Sequence, residues 1–400
     1  MQPPNEEWPV IKIVTFSTLY PDAIRHRHGI FVETRLRHLV GNGQVESRVI
    51  APVPWFPSKH PRFGAYAKAA QVAAQEVRHD ISIQHPRYLL LPKIGMTLAP
   101  LLMAVSVYRA VKRLQRSGYD FDIIDAHYFY PDGVAAVLLG QWLNKPVVIT
   151  ARGTDLNLIP QYVLPRKQIL WAAKRAQAMI TVCQALKDVL LEMGVADERV
   201  TVLRNGVDFG LFYPESQRDD LRARLGITGK TILSVGHLVA RKGHDLVIQS
   251  LQHQPDVSLL IAGDGEEEDH LRACVVSLRL EHRVTFLGAL TQTELRDYYA
   301  AVDALVLASS REGWANVLLE SMACGTPVVA TNVWGTPEVV SQPEAGVLVE
   351  RDAHSIAQGL IQLFEAYPDR AQTRRYAEQF SWESTTEGQE QLFARILAQK

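Results

Sequence analysis

Twelve short apolar runs constrain what this chain can fold into more than any other feature of it. They are rich in Val, Ile and Leu, and most are separated by stretches of helical periodicity. A parallel strand buried on both faces reads as a continuous apolar run, and its crossover to the next strand is usually a helix. In the first half the runs are Val10–Phe16, Ser47–Ala51, Ile123–Ala126, Val147–Thr150, Met179–Val182 and Val200–Leu203. The second half repeats the theme at Thr231–Val235, Ser258–Ala262, Val284–Leu287, Ala304–Leu307, Val328–Ala330 and Val347–Val349. Two sets of βαβ units, and so an α/β chain of two doubly wound domains, are the expectation.

The 400 residues are too many for one hydrophobic core and suit two domains. A polar joint without strand or helix periodicity, Asp208 to Asp220, places the boundary near residue 210. Doubly wound sheets bind ligands beyond the carboxyl ends of their strands, so a cleft between two such domains is the expected site.

Charge and cysteine usage narrow the class. The net charge is -1, which offers nothing to nucleic acid, but its distribution is uneven. Residues 1–210 hold 25 Lys+Arg against 17 Asp+Glu, and residues 211–400 hold 17 against 26. The basic half suits an anionic partner or membrane surface, or is a drift of composition between domains. Cys183, Cys274 and Cys324 lie in apolar stretches with no paired spacing, which fits a reduced, cytoplasmic setting. The first nine residues lack the layout of a secretory signal and read as a disordered lead-in, so export is not expected. Between Lys93 and Arg109 run 15 uncharged residues, fewer than the roughly 20 a spanning helix needs.

The most informative segment is Ala308-Ser-Ser-Arg-Glu-Gly-Trp-Ala-Asn-Val-Leu-Leu-Glu320 and its continuation to Thr331. It reads as strand, turn, helix and strand. Gly313 allows the turn, Trp314–Cys324 is the helix, and Gly325 with Pro327 ends it. A helix that starts at a strand's carboxyl end presents unpaired N–H groups and a positive dipole end, which suits phosphate. Glu312 at its mouth and Glu320 two turns along could accept hydrogen bonds from sugar hydroxyls. Alternatively Glu312 only complements the dipole and Glu320 is a solvated helix residue.

A second constellation is Leu233-Ser-Val-Gly236-His237-Leu-Val-Ala-Arg241-Lys242-Gly243-His-Asp245, a strand followed by a Gly-containing loop and a helix. Adjacent Arg241 and Lys242 there could neutralise a diphosphate, or could form a solvated basic turn. No Walker loop and no Gly-x-Gly-x-x-Gly after the first strand is present, which weighs against P-loop and dinucleotide-oxidoreductase readings. Asp120-Phe-Asp122 and the acidic run Asp264–Asp269 look like cation ligands, but the first precedes a buried strand and the second starts a helix. No metal is assigned.

Together, the Glu-x7-Glu box at Glu312 and Glu320, the Gly236–Gly243 loop, Ile261-Ala-Gly-Asp-Gly265 and Arg204-Asn-Gly-Val-Asp208-x3-Phe212-x-Pro214 resemble glycosyltransferase family 4. The resemblance implies a GT-B fold, two Rossmann-like domains across a cleft, and a final helix near Trp382–Leu397 that crosses back. The domains would then be 1–210 with 382–400, which binds the acceptor, and 211–381, which binds the donor. It implies a retaining, metal-independent hexosyltransferase that takes a nucleotide-diphosphate sugar as co-substrate and needs no other cofactor. The acceptor would be a lipid-linked or growing cell-surface polysaccharide.

Carried onto this chain, Lys242 resembles the lysine that holds the donor diphosphate, with Arg241 beside it. His237 stands where the family often has Arg. Glu312 resembles the carboxylate that binds the donor sugar, and Glu320 the one that binds the ribose. Backbone N–H groups over Gly313, Trp314, Ala315, Asn316 and Val317 would meet the distal phosphate, and Asp264 and Gly265 would border the nucleobase. His127, at the end of Asp122-Ile-Ile-Asp-Ala-His127, resembles the strand-end histidine that projects toward the reacting centre. In Thr150-Ala-Arg152-Gly-Thr-Asp155, Arg152 stands where relatives commonly carry His. Gly29 and Glu33 lie in the loop where relatives usually have paired glycines, and with Arg152 and Asp155 they form the acceptor side. Two other functions compete with transfer. A GT-B nucleotide-sugar epimerase would turn over donor alone, and a non-catalytic subunit would bind donor without turnover.

Overall fold

The computed structural model describes residues 10–90 and 95–399. The N-terminal lead-in expected over residues 1–9, and residues 91–94 of the apolar stretch, lie outside the described residues. Two compact units are formed: Met1–Arg204 with Glu383–Lys400, and Asn205–Trp382.

The first unit carries β1 (Ile11–Phe16), β2 (Val45–Ile50), β3 (Val53–Pro54), β4 (Gln75–Arg78), β5 (Ile81–Gln84), β6 (Arg87–Tyr88), β7 (Ile123–His127), β8 (Val147–Ala151), β9 (Ala178–Thr181) and β10 (Val200–Val202). Its main sheet runs β10-β9-β8-β7-β1-β2-β5-β4, parallel except for the β4–β5 pair at one edge. β3 and β6 form a separate two-stranded ribbon. The β4–β5 turn places His79 and Asp80 at φ 48° and 62°, the double left-handed geometry of a two-residue hairpin. The core packs Ile13, Val32, Leu36, Val49, Ile123, Val148 and Ile180 against the last helix, Trp382–Ala398, through Leu392, Phe393 and Ile396.

The second unit carries β11 (Lys230–Val235), β12 (Val257–Ala262), β13 (Val284–Gly288), β14 (Ala304–Leu307), β15 (Val328–Thr331) and β16 (Gly346–Val349). Their order, β13-β12-β11-β14-β15-β16, is that of a dinucleotide-fold sheet, and every pair is parallel. Both units are therefore Rossmann-like α/β layers with apolar strands at their centres.

Two boundaries differ from the sequence expectation. The units part at Arg204/Asn205 rather than near residue 210, because Asn205 to Phe212 pack on the second unit. Asn205's carbonyl accepts from Trp314 Nε1 at 3.0 Å, Val207 N–H donates to Phe380's carbonyl at 3.0 Å, and the Phe212 ring meets Tyr299 edge-on. The helix expected from Trp314 starts at Asn316 and ends at Ala323. It closes as expected on Gly325: Gly325 N–H bonds Met322's carbonyl and Thr326 N–H bonds Ser321's, the paired bonds of a glycine-stopped helix.

Candidate active site

In the second unit the chain leaves β11 in one direction across the sheet and β14 in the other, so the loops after these two neighbours diverge and open a crevice. Both sequence constellations sit there. Gly243 ends the first loop in a left-handed conformation, φ 67°, and a Cβ on it would lie 2.3 Å from Ala308's carbonyl oxygen. Only glycine lets the two loops approach so closely. Ser310 N–H donates to Arg241's carbonyl at 2.8 Å and Leu238 N–H to Asp264's at 2.8 Å, which laces the loops after β11, β12 and β14 together.

This lacing brings Lys242 and Glu312 into contact across 70 residues. Lys242 Nζ donates to Glu312 Oε1 at 2.6 Å, Ser309 Oγ donates to the same oxygen at 2.6 Å, and Arg241 lies 3.9 Å away. Burial alone would push the Glu312 carboxyl up. The charge and hydrogen bond of Lys242, with help from Ser309 and Arg241, outweigh burial and hold it below the usual carboxylate range. Two cations thus face one carboxylate whose side chain is 11% exposed, leaving local positive charge for an anionic ligand.

Behind them, Asn316–Ala323 begins at Ala315, whose side chain has no cap to offer the first N–H groups. Trp314 is buried and anchored to Asn205, so Gly313 to Val317 form a fixed lip. Glu320 accepts from Tyr299 Oη at 3.0 Å, and burial pushes its carboxyl up to about 7. His237 is exposed, with Nδ1 3.4 Å from Asp264 Oδ1 and Nε2 3.8 Å from Glu266. Gly236, His237, Asp264 and Gly265 therefore gather at one edge of the crevice, next to Arg241 and Lys242. Ser309, which orients Glu312, and Tyr299, which holds Glu320, were not singled out in the sequence. Ser309 is three residues before Glu312 and could have been found; nothing local marks Tyr299.

The first unit's switch point lies between β1 and β7, and its polar residues turn inward. His127, 1% exposed, donates from Nε2 to Asp125 Oδ2 at 3.0 Å, and its Nδ1 takes a hydrogen bond from Arg152's guanidinium. Asp125 Oδ2 also accepts from Gln389 Nε2 at 2.9 Å, and Gln389 Oε1 accepts from Arg35 Nε at 2.9 Å. Burial pushes the imidazole down, Arg152's charge adds to this and Asp125 opposes it; the net direction is down, which favours neutral imidazole. Burial would push Asp125 up, but His127, Arg35 and Arg152 hold it below its ordinary value.

His127 was expected to project toward the reacting centre. Here both ring nitrogens are occupied inside the unit, and the outermost member of the relay is Arg152, 8% exposed. Asp155 is fully buried and spends its oxygens on the backbone N–H groups of Phe129, Arg152 and Gly153, so it shapes the loop. Glu33 is likewise committed, to Arg78 Nε at 2.6 Å on the hairpin, and is a packing residue in this unit. Gly29 caps the helix Ile30–Gly41 at φ 64°, where a Cβ would lie 1.6 Å from Leu19's carbonyl oxygen. Asp120 pairs with Lys145 at 2.9 Å and Asp122 accepts from Lys12 N–H at 2.9 Å, so neither is arranged as a cation ligand.

Two Rossmann-like units, the second carrying paired cations, a carboxylate and an open helix start at its switch point, define the GT-B class of sugar-transfer enzymes. Comparison with known proteins agrees. A family profile described as Glycosyl transferases group 1 matches residues 217–380, and one described as Glycosyltransferase Family 4 matches residues 66–210. The chain belongs to glycosyltransferase family 4 and is a glycosyltransferase of the GT-B fold. It is 29% identical over 361 residues, 88% of each chain, to a Bacillus subtilis protein assigned as a glycosyltransferase of teichuronic acid biosynthesis. Among solved structures it is similar to the sucrose-phosphate synthase of Thermosynechococcus elongatus, with TM-score 0.79, 19% identity and coverage of 98% of this chain and 100% of that one. It is also similar to HepE of Anabaena, solved with UDP-glucose, with TM-score 0.71, 20% identity and coverage of 97% and 99%.

Proposed function

We propose that the chain is a retaining, metal-independent hexosyltransferase that moves a sugar from a nucleotide-diphosphate sugar to a lipid-linked or growing polysaccharide. The observation that carries this reading is the Lys242–Glu312 contact at the second unit's switch point, with Arg241 beside it and the helix start at Asn316 behind. The relatives add to it, one assigned to teichuronic acid biosynthesis and one neighbour solved with UDP-glucose.

In the reaction the bond from the sugar's C1 to the distal phosphate oxygen breaks, and a bond from an acceptor hydroxyl oxygen to C1 forms on the same face. The acceptor's proton passes to the departing phosphate oxygen. Lys242, Arg241 and the N–H groups from Gly313 to Val317 stabilise the charge that develops on the diphosphate, which is the work a metal ion does in other enzymes. When the phosphate arrives it takes Lys242 from Glu312, and Glu312 is released to hydrogen-bond the sugar's hydroxyls. Glu320 binds the ribose, and Asp264 and Gly265 border the base beside His237. On the acceptor side we assign the working charge to Arg152, with His127 and Asp125 behind it as positioning residues. No cofactor beyond the co-substrate is needed, and the setting is cytoplasmic, peripheral to the inner face of a membrane. No helix among the described residues is long and apolar enough to cross one.

NMR of the product's anomeric proton, with a chelator present, tests the reading. The expected product keeps the donor's anomeric configuration and forms at an undiminished rate. An inverted anomer or loss of rate with chelator would overturn it, and a new sugar nucleotide formed without acceptor would indicate an epimerase.

A further inference from the structure

The helix Gly95–Arg116 has 22 residues and no Asp or Glu. Leu98, Leu101, Val105, Arg109, Lys112 and Arg116 follow one another at steps of three and four, which places them on one stripe. The stripe faces outward. Leu98, Leu101 and Val105 are exposed, Leu101 by 47% and Val105 by 55%, and Arg109 and Arg116 are exposed beyond them. Its first half is therefore apolar and its second half cationic.

Neighbouring elements extend the same face. Tyr108 meets the exposed Trp142 edge-on at 5.9 Å, and Lys112 Nζ lies 6.0 Å over the Tyr108 ring. Gln168 Nε2 of the helix Val163–Ala173 donates to Thr97's carbonyl at 3.0 Å, so the middle of that helix lies against the start of this one. At the start of Val163–Ala173, Tyr162, Val163 and Leu164 are exposed, Val163 by 68%. Scattered exposed apolar residues need no explanation, but a contiguous set does.

Charge decides what covers it. No Asp or Glu occurs between residues 81 and 119 or between 156 and 187, and these two segments hold 11 Lys and Arg. A second copy docked on the same face would bring these cations against one another. An anionic bilayer complements both halves at once: acyl chains take the leucines and valines, headgroup phosphates take the cations, and Tyr and Trp suit the boundary. We propose that this face docks the first unit onto an anionic lipid surface, with the helix Gly95–Arg116 lying in the interface plane. The proposal rests on the peripheral placement given above and specifies the surface that produces it.

Flotation of the full chain with phosphatidylcholine vesicles, and with vesicles that also contain phosphatidylglycerol, tests it. The protein should float with the second kind only and be released by added salt. Each cation at an anionic surface is worth roughly a fivefold change in partition, so Arg109→Ala with Lys112→Ala should weaken floating by about 25-fold. Leu101→Ser with Val105→Ser should also weaken it. Both variants should keep the melting shift that a nucleotide sugar gives the parent chain. Equal binding to both vesicle types, or unchanged binding of the variants, overturns the proposal, as does a solution dimer dissolved by Leu101→Ser with Val105→Ser. A parent chain that fails to float yet keeps its nucleotide response removes the docking surface and leaves the transferase reading standing; a parent chain that floats but shows no nucleotide response does the opposite.

Discussion

At the second unit's switch point, Lys242, Arg241 and Glu312 meet, partly open to solvent, over the buried Ser309. At the first unit's, Asp125, His127, Arg152, Gln389 and Arg35 meet in a chain of hydrogen bonds with His127 1% exposed. The sheets have the same kind of topological reversal, yet one displays charge and the other encloses it. In the function proposed above, a ligand phosphate replaces Glu312 as Lys242's partner in the open cluster. In the closed one each charged group has at least one internal hydrogen-bond partner, and removing any member strands its partners in a low dielectric. The contrast predicts that substitutions in the closed cluster register in stability, and those in the open one in catalysis.

The largest effect should come from Asp125→Ala, which leaves Arg35 and Arg152 buried without their carboxylate. It should cost about 3–5 kcal/mol in the first unit's unfolding, read by urea denaturation. A cost near zero would erase the distinction. Lys242→Ala should lower kcat/KM by about 10²–10³ with an unchanged melting temperature, since it removes a donor aimed at developing charge. A folded variant with full activity would remove Lys242 from the site.

Asp132, another buried carboxyl of the first unit, offers a pH test of enclosed charge there. It is fully buried and accepts from Thr18 N–H at 2.6 Å, and burial, with Asp155's charge adding, pushes its carboxyl from 3.8 up to about 8. Between these values the native chain holds a proton that the unfolded chain has released, so this group's contribution falls as pH rises through that window. Asp132→Asn should flatten that part of the curve of urea midpoint against pH; identical slopes would contradict the assignment. The smallest effect is expected from Trp314→Phe, which deletes the bond to Asn205's carbonyl and should cost about 1 kcal/mol in the second unit. A larger loss of activity than of stability there would show that the lip at Gly313–Val317 needs the indole for its geometry.

All twelve apolar runs became strands within a few residues of their expected ends, because each carries its own apolar signal, strongest in the central strands such as Ile123–His127, Val147–Ala151 and Ala304–Leu307, which are buried on both faces. The four strands that were not foreseen lack it. Gln75–Arg78 and Ile81–Gln84 form an edge hairpin with polar alternation, and their turn uses His79-Asp80 in place of the Gly that usually marks such a bend. The β3–β6 ribbon is only two residues deep and is set by its neighbours. Lys242 and Glu312 were both visible as motifs, but their pairing depends on Gly243 lying against Ala308, a contact made by the tertiary fold. The buried relay was less legible still. Arg35 and Gln389 stand 354 residues apart on helices and look like surface positions until the last helix returns to the first unit.

The proposed function requires that the Lys242–Glu312 cluster receive the donor. Thermal shift and saturation-transfer NMR with UDP-, GDP- and ADP-sugars, on the parent chain and on Lys242→Ala and Glu312→Ala, measure this directly. One nucleotide sugar should raise the parent's melting temperature. Lys242→Ala should weaken its binding by about 10–100-fold, the worth of a charge-assisted hydrogen bond. Glu312→Ala should lose saturation transfer to the sugar protons while keeping that to the base. Binding of every donor by both variants as tightly as by the parent chain would contradict the central claim.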